Sequence, residues 1–227
     1  MTNLTHGSPS AAVGDYLKAV WELAGTSGGV VGTKDVAARL SISAASVTNM
    51  FTRLQEMGLV EYERYRGAML TDRGREEALR LVRRHRLIET FLLEHLGYDW
   101  QEVHEEAERL EHAVSDGFTE RLAEYLGHPD HDPHGDRIPS PEGTLKPDYS
   151  SLLSEADAGQ RILISKVSDE DASMLDYLGE HGLVPGRMLT VREVRSFDSV
   201  VTVEDEEGNR YSLGDALTRS ISVRAVP

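Results

Sequence analysis

The chain contains no cysteine. That absence excludes disulfides, iron–sulfur clusters, zinc–thiolate sites and thiol nucleophiles, and leaves histidine, carboxylate, asparagine and backbone oxygen as ligands open to a metal. Long apolar runs are also missing: none approaches the ~20 residues of a membrane-crossing helix, so no membrane span is expected. The opening stretch MTNLTHGSPSAA lacks the positive charge followed by an apolar block that marks a secretory signal, and a cytoplasmic location is the expectation. Positive charge is in short supply, with 24 Lys and Arg against 39 Asp and Glu and a formal net charge of −15. Such an average weighs against nucleic acid as a partner, because phosphate binding needs local positive potential.

The average conceals a gradient. Residues 33–90 hold 11 basic and 8 acidic side chains, whereas residues 91–160 hold 4 basic and 17 acidic. A mildly basic segment therefore precedes a strongly acidic one. With 227 residues, the chain has room for one large domain or a few small ones.

Val13, Leu17, Val20, Trp21 and Ala24 recur at three- and four-residue spacing, which predicts an amphipathic helix from about Ala11 to a stop at Gly25. After a loop over 25–32, Thr33 can cap a short helix, KDVAARL, and Ser43 a second, AASVTNMFTRLQEM, that ends at Gly58. Only Ser41 and Ile42 separate them. Val36, Ala37, Leu40, Val47, Met50, Phe51 and Leu54 give the pair a shared apolar face, the pattern of a helix-turn-helix. LVEYERY and AMLT alternate around Arg66-Gly67 and read as a β-hairpin, which makes the unit a winged helix.

Thr71 is placed to cap a long helix to about Leu96, Asp99 another to about Val114, and Ser115 a third that ends at Gly127. Their apolar surface exceeds what a small winged helix can cover, which predicts a dimer interface and suits a two-fold DNA site. Residues 128–158 carry five of the eight prolines and read as a linker. Beyond them RILISKV, MLTVREV, VVTVED, RYSL and SISVRAV are short alternating or β-branched runs, interrupted by one helix from about Asp169 to His181. They predict a small barrel. The expected fold class is mainly α with a small β domain: a winged helix-turn-helix DNA-binding domain over 1–72, a helical metal-binding and dimerisation domain over 73–140, a linker proper over 141–158 and a small β-barrel over 159–227.

Ligand-type side chains concentrate in the acidic helix. His104, Glu108, Glu111 and His112 stand at i, i+4, i+7 and i+8, at angles of about 0°, 40°, −20° and 80°, and so share one face of ~100°. His85 and Glu89 form an i, i+4 pair on the preceding helix, and Asp15 near the start of the first helix is a further candidate. Solvated charge on an acidic surface helix is the plain alternative; the second His/Glu pair on the neighbouring helix weighs against it. Carboxylate and imidazole ligands without sulfur suit Mn²⁺, Fe²⁺, Co²⁺ or Zn²⁺, and a site dominated by carboxylates leans towards the harder Mn²⁺.

The succession of winged helix, long helix with RRHRLIETFL, then EVHEEAERLEHAVSD, DPHGDRIP and a small barrel with GLVPGRMLTV resembles the diphtheria-toxin-repressor family of metal-dependent repressors over nearly the whole chain. H-x-x-x-E followed by H-x-x-x-E-x-x-E-H is its most specific motif. The resemblance implies a homodimeric transcriptional regulator, not an enzyme, with an SH3-like (FeoA) barrel and double-stranded operator DNA with palindromic half-sites as its partner. It implies a primary metal site from Asp15, Glu108, Glu111 and His112, and an ancillary site from His85, Glu89 and His104. Near the family's barrel ligands this chain offers Asp171, with Met174 where an amide ligand is usual. Iron-responsive members generally have Met and Cys where this sequence has Asp15 and Glu108, so Mn²⁺ is the expected metal. Fe²⁺ is the alternative, and Co²⁺, Zn²⁺ or Cd²⁺ are substitutes in vitro. Small manganese-responsive members without a barrel have a Glu three residues after the first Asp, where this chain has Lys18, so their paired-metal arrangement is not expected here. Family members most often repress metal-uptake genes under metal excess, which makes repression the expected sign.

For DNA contact, Ser43, Ala45, Ser46, Thr48 and Asn49 occupy the first turns of the recognition helix, where base edges are reached. Arg64 and Arg66 on the wing are placed to meet phosphate or the minor groove. Capping and simple solvation are the alternatives for these residues. Arg53, Arg73 and Arg75 are further candidates for phosphate contact, while Tyr62 and Tyr65 are expected to pack within the hairpin. His128, His131 and His134 in GHPDHDPHGD read as parts of a structural linker, and Gly25-Thr26-Ser27-Gly28-Gly29 matches G-x-S-x-G but follows a helix, so it reads as a flexible loop. A di-metal oxidase needs paired Glu-x-x-His motifs, which are missing, and a metal hydrolase leaves the winged helix unexplained. A winged-helix regulator without metal is the remaining alternative.

Overall fold

A computed structural model describes residues 10–25, 28–100, 102–168 and 171–226. Thr26 and Ser27 of the G-x-S-x-G match, and the expected helix start at Asp169, lie outside the described residues. Two compact units are present: one takes the described residues up to His85 with Pro139–Thr144, the other Arg86–Ile138 and the chain from Leu145 onward.

In the first unit, α1 (Ala11–Ala24) buries Val13, Leu17, Val20 and Trp21, as their spacing predicts, and stops at Gly25. α2 (Thr33–Arg39) has Gly32 at its cap, so Thr33 is the first helical residue and not the cap. α3 (Ala44–Glu56) is capped by Ser43, whose Oγ accepts from the Ser46 N–H at 3.1 Å. Val36, Val47, Phe51 and Leu54 are fully buried. β1 (Val60–Glu63) and β2 (Gly67–Leu70) pair antiparallel from Val60↔Leu70 to Glu63↔Gly67. A third segment braces this hairpin: Val31 and Ala68 exchange backbone hydrogen bonds of 2.8 and 2.9 Å. Gly67, at φ 129, lies so close that a Cβ would sit 2.1 Å from the Val31 carbonyl oxygen, so only glycine fits. Thr71 then caps α4 (Asp72–Leu96), its Oγ1 accepting from the Gly74 N–H at 3.1 Å.

The second unit has two cores. Leu87, Ile88 and Leu92 of α4 pack with Val103 and Ala107 of α5 (Val103–Leu110) and Leu122 and Ala123 of α6 (Asp116–Tyr125). α6 is capped by Ser115, which accepts from the Phe118 N–H at 3.2 Å. α5 is shorter than its pattern suggests, and Asp99 does not cap it. The preceding turn follows Trp100, which packs on the second core and donates Nε1–H to the Pro133 carbonyl at 3.1 Å. At its other end Glu111 is still right-handed helical, and the Ala113 N–H tightens the last turn onto Leu110 at 2.9 Å.

The second core lies in the small β domain. β3 (Ser151–Leu152), β4 (Arg161–Val167), β5 (Met188–Arg195), β6 (Val200–Asp205), β7 (Arg210–Leu213) and β8 (Ile221–Val226) form one antiparallel sheet in the order β3-β8-β4-β5-β6-β7. Each of the five predicted runs is a strand; β3 and α8 (Asp215–Ser220) were not foreseen. Alternate residues Ile162, Ile164, Val191, Val201 and Val203 point inward beside Leu175 and Leu178 of α7 (Ala172–Glu180). Register shifts at Ile164/Lys166 and Val191/Glu193 increase the local twist and let the sheet curl around this core. Asp205 pins the β6–β7 turn, accepting from the Glu207 and Asn209 N–H groups, the Asn209 amide, the Tyr211 hydroxyl and Arg187 at 2.8–3.1 Å. Burial alone would raise its pKa, but these hydrogen bonds outweigh that and hold the carboxyl well below the ordinary range.

Candidate metal centre and DNA-binding surface

Glu89 is buried on α4, and its Oε1 lies 3.1 Å from Nδ1 of His104 on α5. The Nε2 of the same ring lies 3.9 Å from Oε1 of Glu108, one turn further on. Glu111 is fully buried, with its Oε1 3.4 Å from Nε2 of His112. Glu111 keeps helical backbone angles one residue past the end of α5, and His112 lies in the turn that follows.

A second group was not anticipated. One oxygen of Glu89, one of Asp132 and a ring nitrogen of His134 lie within 4.8 Å of one another, and all three residues are buried. The loop that brings them is built by local chemistry: Asp132 Oδ1 accepts from the backbone N–H groups of His134 and Asp136, both at 2.9 Å. Arg86 braces it from α4, with Nε 3.4 Å from Asp132 Oδ2 and donations to Asp136 Oδ1 at 2.9 Å and the Arg137 carbonyl at 2.5 Å. On its other side the loop is tied to β4. Val167 N–H donates to the His134 carbonyl at 2.8 Å, Lys166 Nζ to Asp136 at 2.8 Å, and a Cβ on Gly135 (φ 90) would meet the Ser165 carbonyl oxygen at 2.1 Å. The expectation that His134 belongs to a structural linker is therefore corrected: tertiary contacts on two sides make this stretch part of a folded core. His128 remains structural, its N–H closing α6 onto the Ala123 carbonyl at 2.8 Å, and His131 bridges to Arg137.

The state of the His134 ring follows from its neighbours. Nε2 lies 3.0 Å from the Trp100 carbonyl, which can only accept, so Nε2 carries a proton, and the lone pair of the neutral ring is on Nδ1. That Nδ1 is buried without a hydrogen-bond partner. An imidazole oriented by a carbonyl through one nitrogen and bare at the other is arranged as metal-ligating histidines are. Burial, and next the Glu89 carboxylate, pushes Asp132 well above the ordinary carboxylate range. Two carboxyl groups and an imidazole nitrogen are a donor set that suits a divalent cation of the Mn²⁺ or Fe²⁺ kind, which displaces a carboxyl proton when it binds.

The other predicted ligands divide between the units. Asp15 is half-buried on α1, in the first unit, whereas Glu108, Glu111 and His112 are in the second. His85 is buried in the first unit with Lys18 Nζ 3.1 Å from its Nδ1. An ammonium only donates, so this Nδ1 lone pair is engaged, and Lys18 has to withdraw before that nitrogen can ligate. Asp171 caps α7, its Oδ1 accepting from the Ser173 N–H at 2.9 Å, the Met174 N–H at 3.2 Å and the Ser173 hydroxyl at 2.5 Å. Those hydrogen bonds, the Ser173 hydroxyl first, lower its pKa.

On α3, Ser43, Ala45, Ser46 and Asn49 are exposed and Thr48 is half-buried. Ser43 Oγ serves the cap and lies 2.9 Å from Ser46 Oγ, and Thr48 Oγ1 donates to the Ala44 carbonyl at 3.0 Å. Arg64 and Arg66 are exposed at the hairpin tip, where Arg66 pairs with Glu63 at 2.7 Å. Tyr62 packs against Phe51, ring centroids 5.4 Å apart, as expected. Tyr65 does not pack: it is 91% exposed.

Three family models match consecutive segments: the iron dependent repressor N-terminal DNA binding domain over residues 10–68, the iron dependent repressor metal binding and dimerisation domain over 71–140, and the FeoA domain over 152–225. The iron-dependent repressor IdeR of Mycobacterium tuberculosis is 30% identical over 203 residues, which covers 84% of this chain and 87% of that relative. The chain belongs to the iron-dependent, diphtheria-toxin-type repressor family. Among solved structures, a manganese-dependent transcriptional repressor in complex with manganese matches with a TM-score of 0.88 at 38% identity, covering 94% of this chain and 100% of that one. The crystal structure of ScaR with bound Cd²⁺ matches at 0.79 and 34%, covering 94% and 99%. This repressor thus has the DNA-binding, helical dimerisation and small β segments that its sequence led one to expect, in a family of metal-dependent transcriptional regulators. Among its described residues no helix is long and apolar enough to cross a membrane.

Proposed function

We propose that this repressor responds to manganese, binds a palindromic operator as a homodimer when loaded, and represses metal-uptake genes. The observation that carries the reading is the buried group of Glu89, Asp132 and His134, with an imidazole nitrogen that lacks any hydrogen-bond partner. Ligand sets made only of oxygen and nitrogen support Mn²⁺, as does the manganese-dependent structural neighbour. Fe²⁺ is the second reading, favoured by the iron-dependent mycobacterial relative.

Asp15, Glu108, Glu111 and His112 would hold one ion; Glu89, Asp132 and His134, with His104 beside Glu89, would hold another. His85 joins only if Lys18 gives up its Nδ1. A bound cation supplies the positive charge these carboxylates lack. Without it Asp15, Glu108, Glu111 and the adjacent Glu105 and Glu106 repel one another, which disfavours docking of α1 against the acidic helix. Neutralised, Asp15 ties the segment leading into the winged helix to the dimer-forming helices, and the two α3 helices keep one spacing. Moving from mostly incompetent to mostly competent needs a few kcal/mol of differential binding.

The test is operator binding by chelator-stripped protein with and without Mn²⁺, using a duplex selected from a random-sequence pool. Glu108→Ala and His112→Ala should fold and dimerise yet lose metal-stimulated binding. Undiminished metal-dependent binding by both refutes the reading.

A further inference from the structure

The tip of the β1–β2 hairpin carries an aromatic side chain that the fold does not use. Tyr65 has φ 70, in the left-handed region where glycine and asparagine sit with less strain than a bulky aromatic. The residue is 91% exposed. Among the described residues its ring contact is the guanidinium of Arg64, 5.1 Å from the ring centroid. Packing therefore does not explain why tyrosine occupies this position.

The platform beneath it is stiff. Tyr62 anchors β1 to α3 through Phe51, and the Val31–Ala68 bridge with its glycine-only contact at Gly67 holds β2 from the other side. A rigid hairpin thus presents a planar ring with a hydroxyl against the Arg64 guanidinium, with Arg66, paired to Glu63, next in the chain. The surface matched by that chemistry combines acidic oxygens with apolar edges. A DNA duplex offers both along its groove wall, as phosphates beside deoxyribose.

From this geometry we propose that Tyr65 is a DNA-contacting residue, its ring packing on the deoxyribose wall of the groove and its hydroxyl donating to a backbone or base-edge acceptor, with Arg64 held beside it for a phosphate. The inference rests on residues 10–68 binding duplex DNA.

The experiment uses the full chain loaded with Mn²⁺, and a duplex selected by the wild type from a random pool, with Kd read by fluorescence anisotropy over a salt series. Tyr65→Asn, which suits the left-handed backbone, should bind about tenfold more weakly, with an unchanged or raised melting temperature, unchanged Mn²⁺ uptake and an unchanged slope of log Kd against log salt. Tyr65→Phe should fall by about threefold. Arg64→Ala should instead lower the salt slope by about one. Tyr65→Asn binding within about twofold of wild type overturns the proposal; so does a loss of affinity accompanied by loss of Mn²⁺ uptake or of the dimer. If the wild type selects no duplex, DNA binding by this chain fails and the role of Tyr65 fails with it.

Discussion

Replacing Asp132 by Asn probes the buried carboxylates directly. An Asp132 oxygen lies within 4.8 Å of a Glu89 oxygen, and two unit charges at that separation repel by about 3 kcal/mol at an effective dielectric of about 20. Burial and Glu89 raise the Asp132 pKa, so the wild type relieves part of this repulsion by taking up a proton more readily than an ordinary carboxylate does. A carboxyl with a raised folded pKa favours the fold at low pH and loses that advantage as pH climbs through the raised value. Asparagine retains an acceptor for the His134 and Asp136 N–H groups but loses the charge 3.4 Å from Arg86, at a cost of about 1 kcal/mol. The chelator-treated variant should therefore be more stable than wild type by about 1–2 kcal/mol at neutral pH, and the gain should shrink towards about pH 4. Calorimetry reads this as a rise of a few degrees in melting temperature. Saturating Mn²⁺ at about a hundredfold excess over Kd adds about 2.7 kcal/mol per site, and the variant should forgo most of one such increment. A metal-free variant less stable than wild type, responding fully to Mn²⁺, refutes the reasoning.

Two further outcomes are expected. Gly135→Ala forces a Cβ to within 2.1 Å of the Ser165 carbonyl oxygen at φ 90, so denaturant unfolding should show a loss of about 2–4 kcal/mol together with a weaker Mn²⁺-induced stabilisation; wild-type stability would contradict the tight docking of this loop on β4. Asp205, its pKa depressed by hydrogen bonds that outweigh burial, contributes stability that is present above the ordinary carboxylate range and lost as pH falls below about 4. Asp205→Asn should be less stable at neutral pH and flatter in its stability between about pH 4 and pH 2, checked by circular dichroism; superimposable curves for the two proteins would rule this role out.

The strands of the small β domain were legible because each alternates over four to eight residues, a signal carried by the run itself. Helix α1 was legible for the same reason at a different period. The boundaries of α5 were not, because Trp100 is drawn to the β-domain core and overrides the capping offered by Asp99. Tyr65 was misjudged since hairpin composition does not say which tyrosine faces α3; Tyr62 does. His134 had a faint signal in the D-x-H of HDPHGD, but proline and glycine around it also describe an ordinary turn.

Composition was enough to establish which donors a metal can find here, and helical period to set His104 and Glu108 one turn apart on α5, because both properties are local to a few turns. They could not bring Asp132 and His134 to Glu89, about forty residues earlier in the chain, or set Lys18 on His85. Those pairings depend on side chains distant in sequence being buried together, by Arg86 and β4 around the loop and by α1 around His85, and no short-range pattern encodes which buried polar groups will meet.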